Sequence, residues 1–159
     1  MDIDTKHVNG RRTLRFETMD DLLKDAESIA GTDVHMLGNW SLGQILSHLA
    51  MTITGSIDGF PFAAPLPVRM LLRMTMKKKM LTQTMPSGFK IPAKGAPMIP
   101  GNTSTEEGLA ALRAAVTRYT QEPGRAPNPG FGRLTEQEWL QFHLRHAEGH
   151  MRFAVPKNA

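Results

Sequence analysis

Three short signatures, Ser41-Leu-Gly-Gln44, Ser104-Thr-Glu-Glu107 and Thr135-Glu-Gln-Glu138, stand ahead of runs in which apolar residues recur three and four apart. A hydroxyl side chain at a helix start and a Glu or Gln three residues on satisfy each other's free backbone donors, so each signature marks where a helix begins. After Ser41 come Leu42, Ile45, Leu46, Leu49 and Ile53. After Ser104 come Leu109, Leu112, Val116 and Tyr119, and the third run extends towards Phe153, before Pro156. Thr18 is a further cap, with Asp20 and Asp21 in its first turn and Leu22, Leu23, Ala26, Ile29 and Ala30 as the apolar face, closed by Gly31. Four amphipathic helices with little strand signal predict an all-α fold, a four-helix bundle. The 159 residues suit a single domain with one core.

Outside these helices the pattern loosens. Arg11 to Phe16 (RRTLRF) alternates basic and apolar residues, as a short extended arm would. Gly55 and the turn Asp58-Gly-Phe-Pro61 close the second helix. From Phe60 to Gly101 the prolines at 61, 65, 67, 86, 92, 97 and 100 imply a long irregular connection, broken by a basic, Met-rich helix over Val68–Leu81. A connection of this length in a small domain suggests either a lid over a site or partial disorder.

Composition narrows the functions open to the chain. With no cysteine it has no disulfide, no thiolate zinc site and no cysteine nucleophile. Nineteen Lys+Arg against fifteen Asp+Glu leave a net charge of only +4. Much of that excess sits between Arg69 and Lys79, where lysines and methionines do not divide into clean faces and no aromatic residues interleave. That pattern argues against a nucleic-acid surface and for a solvated helix whose methionines cover the bundle or wall a pocket. The N-terminus has no apolar signal-peptide core, and no segment is apolar and long enough to span a bilayer. A cytoplasmic protein without a membrane partner is expected.

The last helix carries the chemistry. At about 100° per residue, Leu140, Leu144, Ala147, Met151 and Ala154 form one apolar seam. Gln141, Arg145, Glu148 and Arg152 fall to one side, where a solvent face is expected. His143, His146 and His150 fall to the other, near Trp139 and bordered by Phe142 and Phe153. A buried imidazole without a partner costs about 1–3 kcal/mol, so three in one stripe call for a shared ligand or network. Residues four apart stack on one face, so His146 and His150 can direct nitrogens at one divalent ion. His48, beside the Leu42/Ile45/Leu49 seam of the second helix, is the candidate third ligand. His7 and His35 fall in arm or loop positions. The run His146-Ala-Glu-Gly-His150 is not the zinc-protease motif, in which Glu directly follows the first His to reach a metal-bound water; here Glu148 is one position too late.

Arg11-Arg-x-Leu14-x-Phe16, Gly38-Asn-Trp-Ser-Leu-Gly-Gln44, His48-Leu-Ala50, Ser56-Ile-Asp-Gly-Phe-Pro61 and the His146-x-x-x-His150 pair together resemble a domain-of-unknown-function branch of the DinB-like (YfiT-like) superfamily, over about residues 11–156. The resemblance implies a four-helix bundle holding a metal through His48, His146 and His150. It also implies a homodimer, and an activity among metal-dependent thiol transferases, thiol-dependent isomerases or hydrolases. His143 lies outside that triad and is open to three readings: a fourth ligand, a substrate contact, or a core residue bonded to a neighbouring helix.

Three neutral imidazoles leave a coordination position open, the mark of a catalytic metal site. A water there ionises near neutral pH, and a coordinated small thiol is held as thiolate. Since the chain has no cysteine, the thiol would be an external low-molecular-weight cofactor. The expected function is transfer of a small thiol to, or hydrolysis of, a small electrophilic substrate, with zinc or nickel as the leading metals among those that imidazole suits. The alternative is a non-enzymatic bundle, with a structural metal or none, serving a protein partner. Asp58 is a weak catalytic candidate, as an acid/base or orienting group, against the plainer role of a turn residue before Gly59.

Overall fold

The computed structural model describes residues 2–89 and 93–158. Most of the chain is helical: α1 (Met19–Ala30), α2 (Leu42–Asp58), α3 (Leu66–Thr75), α4 (Lys77–Thr82), a 3-10 turn (Ala93–Met98), α5 (Thr105–Gln121) and α6 (Glu136–Met151). All four predicted caps form, each with reciprocal bonds: Thr18 with Asp21, Ser41 with Gln44, Ser104 with Glu107 and Thr135 with Glu138. Because a cap of this kind depends on residues only three apart, it forms wherever the tertiary fold leaves the helix start intact.

The helices α2 and α5 are in the closest contact, and glycine is the reason. A Cβ placed on Gly43 would stand 2.2 Å from the Thr103 carbonyl oxygen, and one on Gly108 2.4 Å from that of Gly43. Backbone thus touches backbone at the starts of both helices. At their far ends Asp58 pairs with Arg118, so the two helices run parallel. Parallel neighbours cannot be joined by a short turn, which accounts for the long 60–101 connection. The helix α6 runs the other way past α2: His146 meets His48 while His143, one turn earlier, meets Ser56 further along α2. Leu22, Leu46, Leu112, Ala147 and Met151, from α1, α2, α5 and α6, are fully buried in one shared core.

Several expectations change. The connection is more regular than its prolines suggested, holding α3, α4 and the 3-10 turn; Pro92 lies outside the described residues. The predicted single helix over 68–81 breaks at Met76 into two. A small antiparallel pair, β1 (Val34–Met36) with β2 (Ala154–Pro156), ties the chain end to the link between α1 and α2. The Arg11–Phe16 arm belongs to no helix or strand. Arg12 forks onto both Asp25 oxygens at 2.7 and 2.9 Å, and Phe16 is buried.

The largest correction concerns the expected solvent face of α6. Glu148 is fully buried and Arg145 nearly so, bonded to each other at 2.8 Å. Glu148 Oε1 also accepts the Phe16 N–H at 2.8 Å, and Oε2 accepts the Thr84 hydroxyl at 2.8 Å. Arg145 donates to the Phe16 carbonyl oxygen as well. The arm and the segment after α4 therefore lie over this face, and the charges are internal fasteners. On α3 no residue is buried: Arg73, itself exposed, bonds the Phe131 and Arg133 carbonyl oxygens, and Met70, Leu71 and Met74 face out. The helix is solvated, as expected, but Met70 and Met74 cover no part of the core.

Candidate metal centre

His48 lies on the buried face of α2, two turns past the Ser41 cap, and the helical spacing of His146 and His150 places both on the side of α6 that faces it. The structure brings these three rings together, each offering a ligand atom within 4.8 Å of the others. The Nε2 of His146 stands 3.3 Å from Nε2 of His48 and 3.1 Å from Nε2 of His150. Two ligands bound about 2.05 Å from a zinc-like ion at a tetrahedral angle stand about 3.3 Å apart. The residues fit such an ion, and the group could hold one.

Proton bookkeeping favours a cation over a hydrogen-bond network. The Nδ1 of His48 lies 2.7 Å from the Met98 carbonyl oxygen, which only an N–H can satisfy. The neutral ring then carries its lone pair on Nε2, aimed at the other two histidines. A single ring nitrogen holds either one proton or one lone pair. The His146 Nε2 can therefore complete one well-directed bond only, and the second contact is at best a share of the same proton. A shared cation resolves both contacts at once.

The surroundings keep the rings neutral. Burial lowers the pKa of His48, against the opposing pull of the Met98 carbonyl. Burial and then repulsion from His150, His48 and His143 hold His146 well below the ordinary histidine range, and burial above all holds His150 at about 3. Neutral imidazole is the metal-binding form. Trp40, immediately before the α2 cap, stacks on His150 (ring centroids 5.5 Å apart, planes 4° apart) and meets His48 edge-on at 5.0 Å. Phe142 lies 6.1 Å from the His146 ring. His48 is buried, and His146 and His150 are partly buried.

The remaining candidates lie elsewhere. His143 is in the core: its Nε2 bonds the Ser56 hydroxyl at 2.9 Å, and its ring packs on Trp139 and Tyr119 at 5.0 and 5.3 Å. Since Ser56 gives its own proton to the Ile53 carbonyl oxygen, His143 is the donor and is neutral. This is the core reading among the three open for it. Asp58 sits about 15 Å further along α2 than His48, and both its oxygens take bonds from Arg118 at 2.8 and 2.9 Å. That arrangement makes it a helix-end fastener with no contact to the cluster. His7 and His35 are exposed.

Two contributors escaped the sequence reading. Trp40 was visible within the Trp-Ser-x-Gly-Gln run, and an aromatic residue directly ahead of a cap two turns before a candidate ligand was the available signal. The Met98 carbonyl left none, because a backbone acceptor in an irregular segment has no residue-type signature.

The family described as "Protein of unknown function (DUF1569)" matches residues 8–157. The chain belongs to this family. No curated protein and no solved structure matches it. Among the described residues no helix is long and apolar enough to cross a membrane.

Proposed function

We propose that the chain is a metal-dependent enzyme of the DinB-like superfamily. In this reading α1, α2, α5 and α6 form a four-helix bundle, the whole chain is one domain, and His48, His146 and His150 hold a zinc or nickel ion. The observation that supports the reading best is the convergence of three Nε2 atoms from two helices, with one ring already oriented by a backbone carbonyl. A bound divalent ion there would supply Lewis acidity and a nucleophile available at neutral pH, from water or an external small thiol. The chain's own residues do the rest. Met98 holds His48 in the ligating tautomer, Trp40 fixes the plane of His150, and Phe142 makes an apolar flank against the His146 side. The partly exposed edges of His146 and His150 leave room for a small electrophilic substrate.

The test is metal content and thermal stability of untagged protein. One equivalent of zinc or nickel is expected in the wild type and less than a tenth of that in His146→Ala. A chelator should lower the wild-type melting temperature and leave that of the variant unchanged. Wild-type protein purified without metal that takes up none from added zinc or nickel would refute the proposal.

A second reading, a non-enzymatic bundle serving a protein partner, is favoured by α3, whose Met70, Leu71 and Met74 face outward with 58%, 60% and 84% exposure. A coordination sphere closed by four protein atoms would decide for it.

A further inference from the structure

The two arginines of the Arg11-Arg12 pair have different fates. Arg12 is consumed by Asp25, but Arg11 makes only long contacts, 3.4 Å to the Thr5 carbonyl oxygen and 3.3 Å to the Ser87 hydroxyl. It lines a cavity of about 550 Å³ together with Lys6, Arg152, Thr84, Ser87 and Phe89. Three cations thus meet from the N-terminal segment and the end of α6, and among the described residues no carboxylate lines the cavity; Asp4, near Lys6, is bonded to His7. Glu148, behind Thr84, is already engaged by Arg145, Phe16 and Thr84. Arg11 and Arg152 both lie against the Phe153 ring, each guanidinium carbon 5.6 Å from its centroid. The Arg152 Nε is buried without a partner, and its other contact is a 3.4 Å bond to the Met85 carbonyl oxygen. Gly88 has φ +85°, and a Cβ there would come within 2.7 Å of the Lys6 side chain, so glycine lets Lys6 lie against the cavity.

We propose that this cavity binds a phosphomonoester, its dianionic phosphoryl group held by Lys6, Arg11 and Arg152 and its organic part lying against Phe89. Guanidinium pairs match the oxygens of a phosphoryl group. The volume suits a small molecule, and the 63% exposed Phe89 ring offers an apolar wall that an inorganic ion would not use. None of its lining residues belongs to the histidine cluster, so the proposal does not rest on that cluster's holding a metal.

The test is isothermal titration of phenyl phosphate into chelator-treated protein at low salt, which removes any metal as a competing phosphate site. Saturable one-to-one binding with Kd of about 1 mM or tighter is expected. Binding should weaken at least tenfold in Lys6→Gln and in Arg11→Gln, and not in Lys79→Gln, which removes an exposed charge outside the cavity. Lys6 is an exposed side chain, so its variant reports on the site even should Arg11→Gln fail to fold. Absence of saturable binding up to about 10 mM, wild-type affinity in either cavity variant, or an equal loss in Lys79→Gln would overturn the proposal.

Discussion

Replacing Glu148 with Gln tests the claim that the charged face of α6 is an internal fastener. Glu148 is fully buried and accepts three bonds, from the Arg145 guanidinium, the Phe16 N–H and the Thr84 hydroxyl. Glutamine keeps the size but supplies one acceptor oxygen and an amide that is itself a donor. Its oxygen can stay on Phe16 and Arg145, which share Oε1, with the amide turned to the Thr84 hydroxyl, but the Arg145 charge is left buried without its counter-ion. Removing one partner of a buried pair costs about 3–5 kcal/mol, a large part of the roughly 5–15 kcal/mol available to a domain. At about 2–4 °C per kcal/mol for a chain of this length, the melting temperature should fall by roughly 6–20 °C. The assay is urea and thermal denaturation of chelator-treated protein, followed by far-UV circular dichroism. The double variant Glu148→Leu/Arg145→Met removes both charges and should recover part of the loss, because an apolar pair of similar volume avoids both desolvation costs but leaves the Phe16 N–H and carbonyl without their partners, at about 1–3 kcal/mol per unpaired group. A loss below about 1 kcal/mol in Glu148→Gln, or a double variant as unstable as the sum of its single variants, would show that this face is hydrated after all.

Further expectations follow from the same contacts. Gly108→Ala should destabilise the protein by more than about 1–3 kcal/mol, because its methyl group would meet the Gly43 backbone rather than a movable side chain; an unchanged urea midpoint would contradict the close α2–α5 approach. Asp58→Asn should leave metal content unchanged, since Asp58 contacts Arg118 and not the histidines, and loss of the metal in that variant would return Asp58 to the site. His143 is held at about 3 by burial, aided by Arg125, against an unfolded value near 6.5. The unfolded chain therefore binds the proton first, and stability is lost as pH falls from about 6.5 towards 3, by about 1.4 kcal/mol per pH unit. Chelator-treated His143→Gln should show that much less slope between pH 6 and 4 than the wild type; an identical slope would mean His143 is not buried in its neutral form.

What the sequence made legible was local or periodic. The caps at Thr18, Ser41, Ser104 and Thr135 each rest on a side chain and a backbone group three residues apart, so no tertiary information was needed. The convergence of His48 with His146 and His150 was accessible because each falls at a helical spacing from apolar neighbours, which selects the inward face. Arg145 and Glu148 failed the same test for a physical reason. Hydropathy assigns a charge to water, and only the fold brings Phe16 and Thr84, far away in sequence, to satisfy it. The β1–β2 pair was invisible because three residues per strand carry no period, and its register is set by chain segments more than a hundred residues apart. On α3 the solvated character was legible but the placing of its methionines was not, because the carbonyl groups of the 131–133 loop that bond Arg73 and fix the helix's orientation have no residue-type signature.

X-ray absorption at the metal edge, on untagged protein reconstituted with zinc, tests the central claim most directly. The account predicts one ion per chain with three imidazole nitrogens at about 2.0–2.1 Å and at least one oxygen from outside the protein, the imidazole signal disappearing in a His48→Ala/His150→Ala variant. An ion with fewer than two imidazole ligands, or the same imidazole signal in that variant, would contradict it.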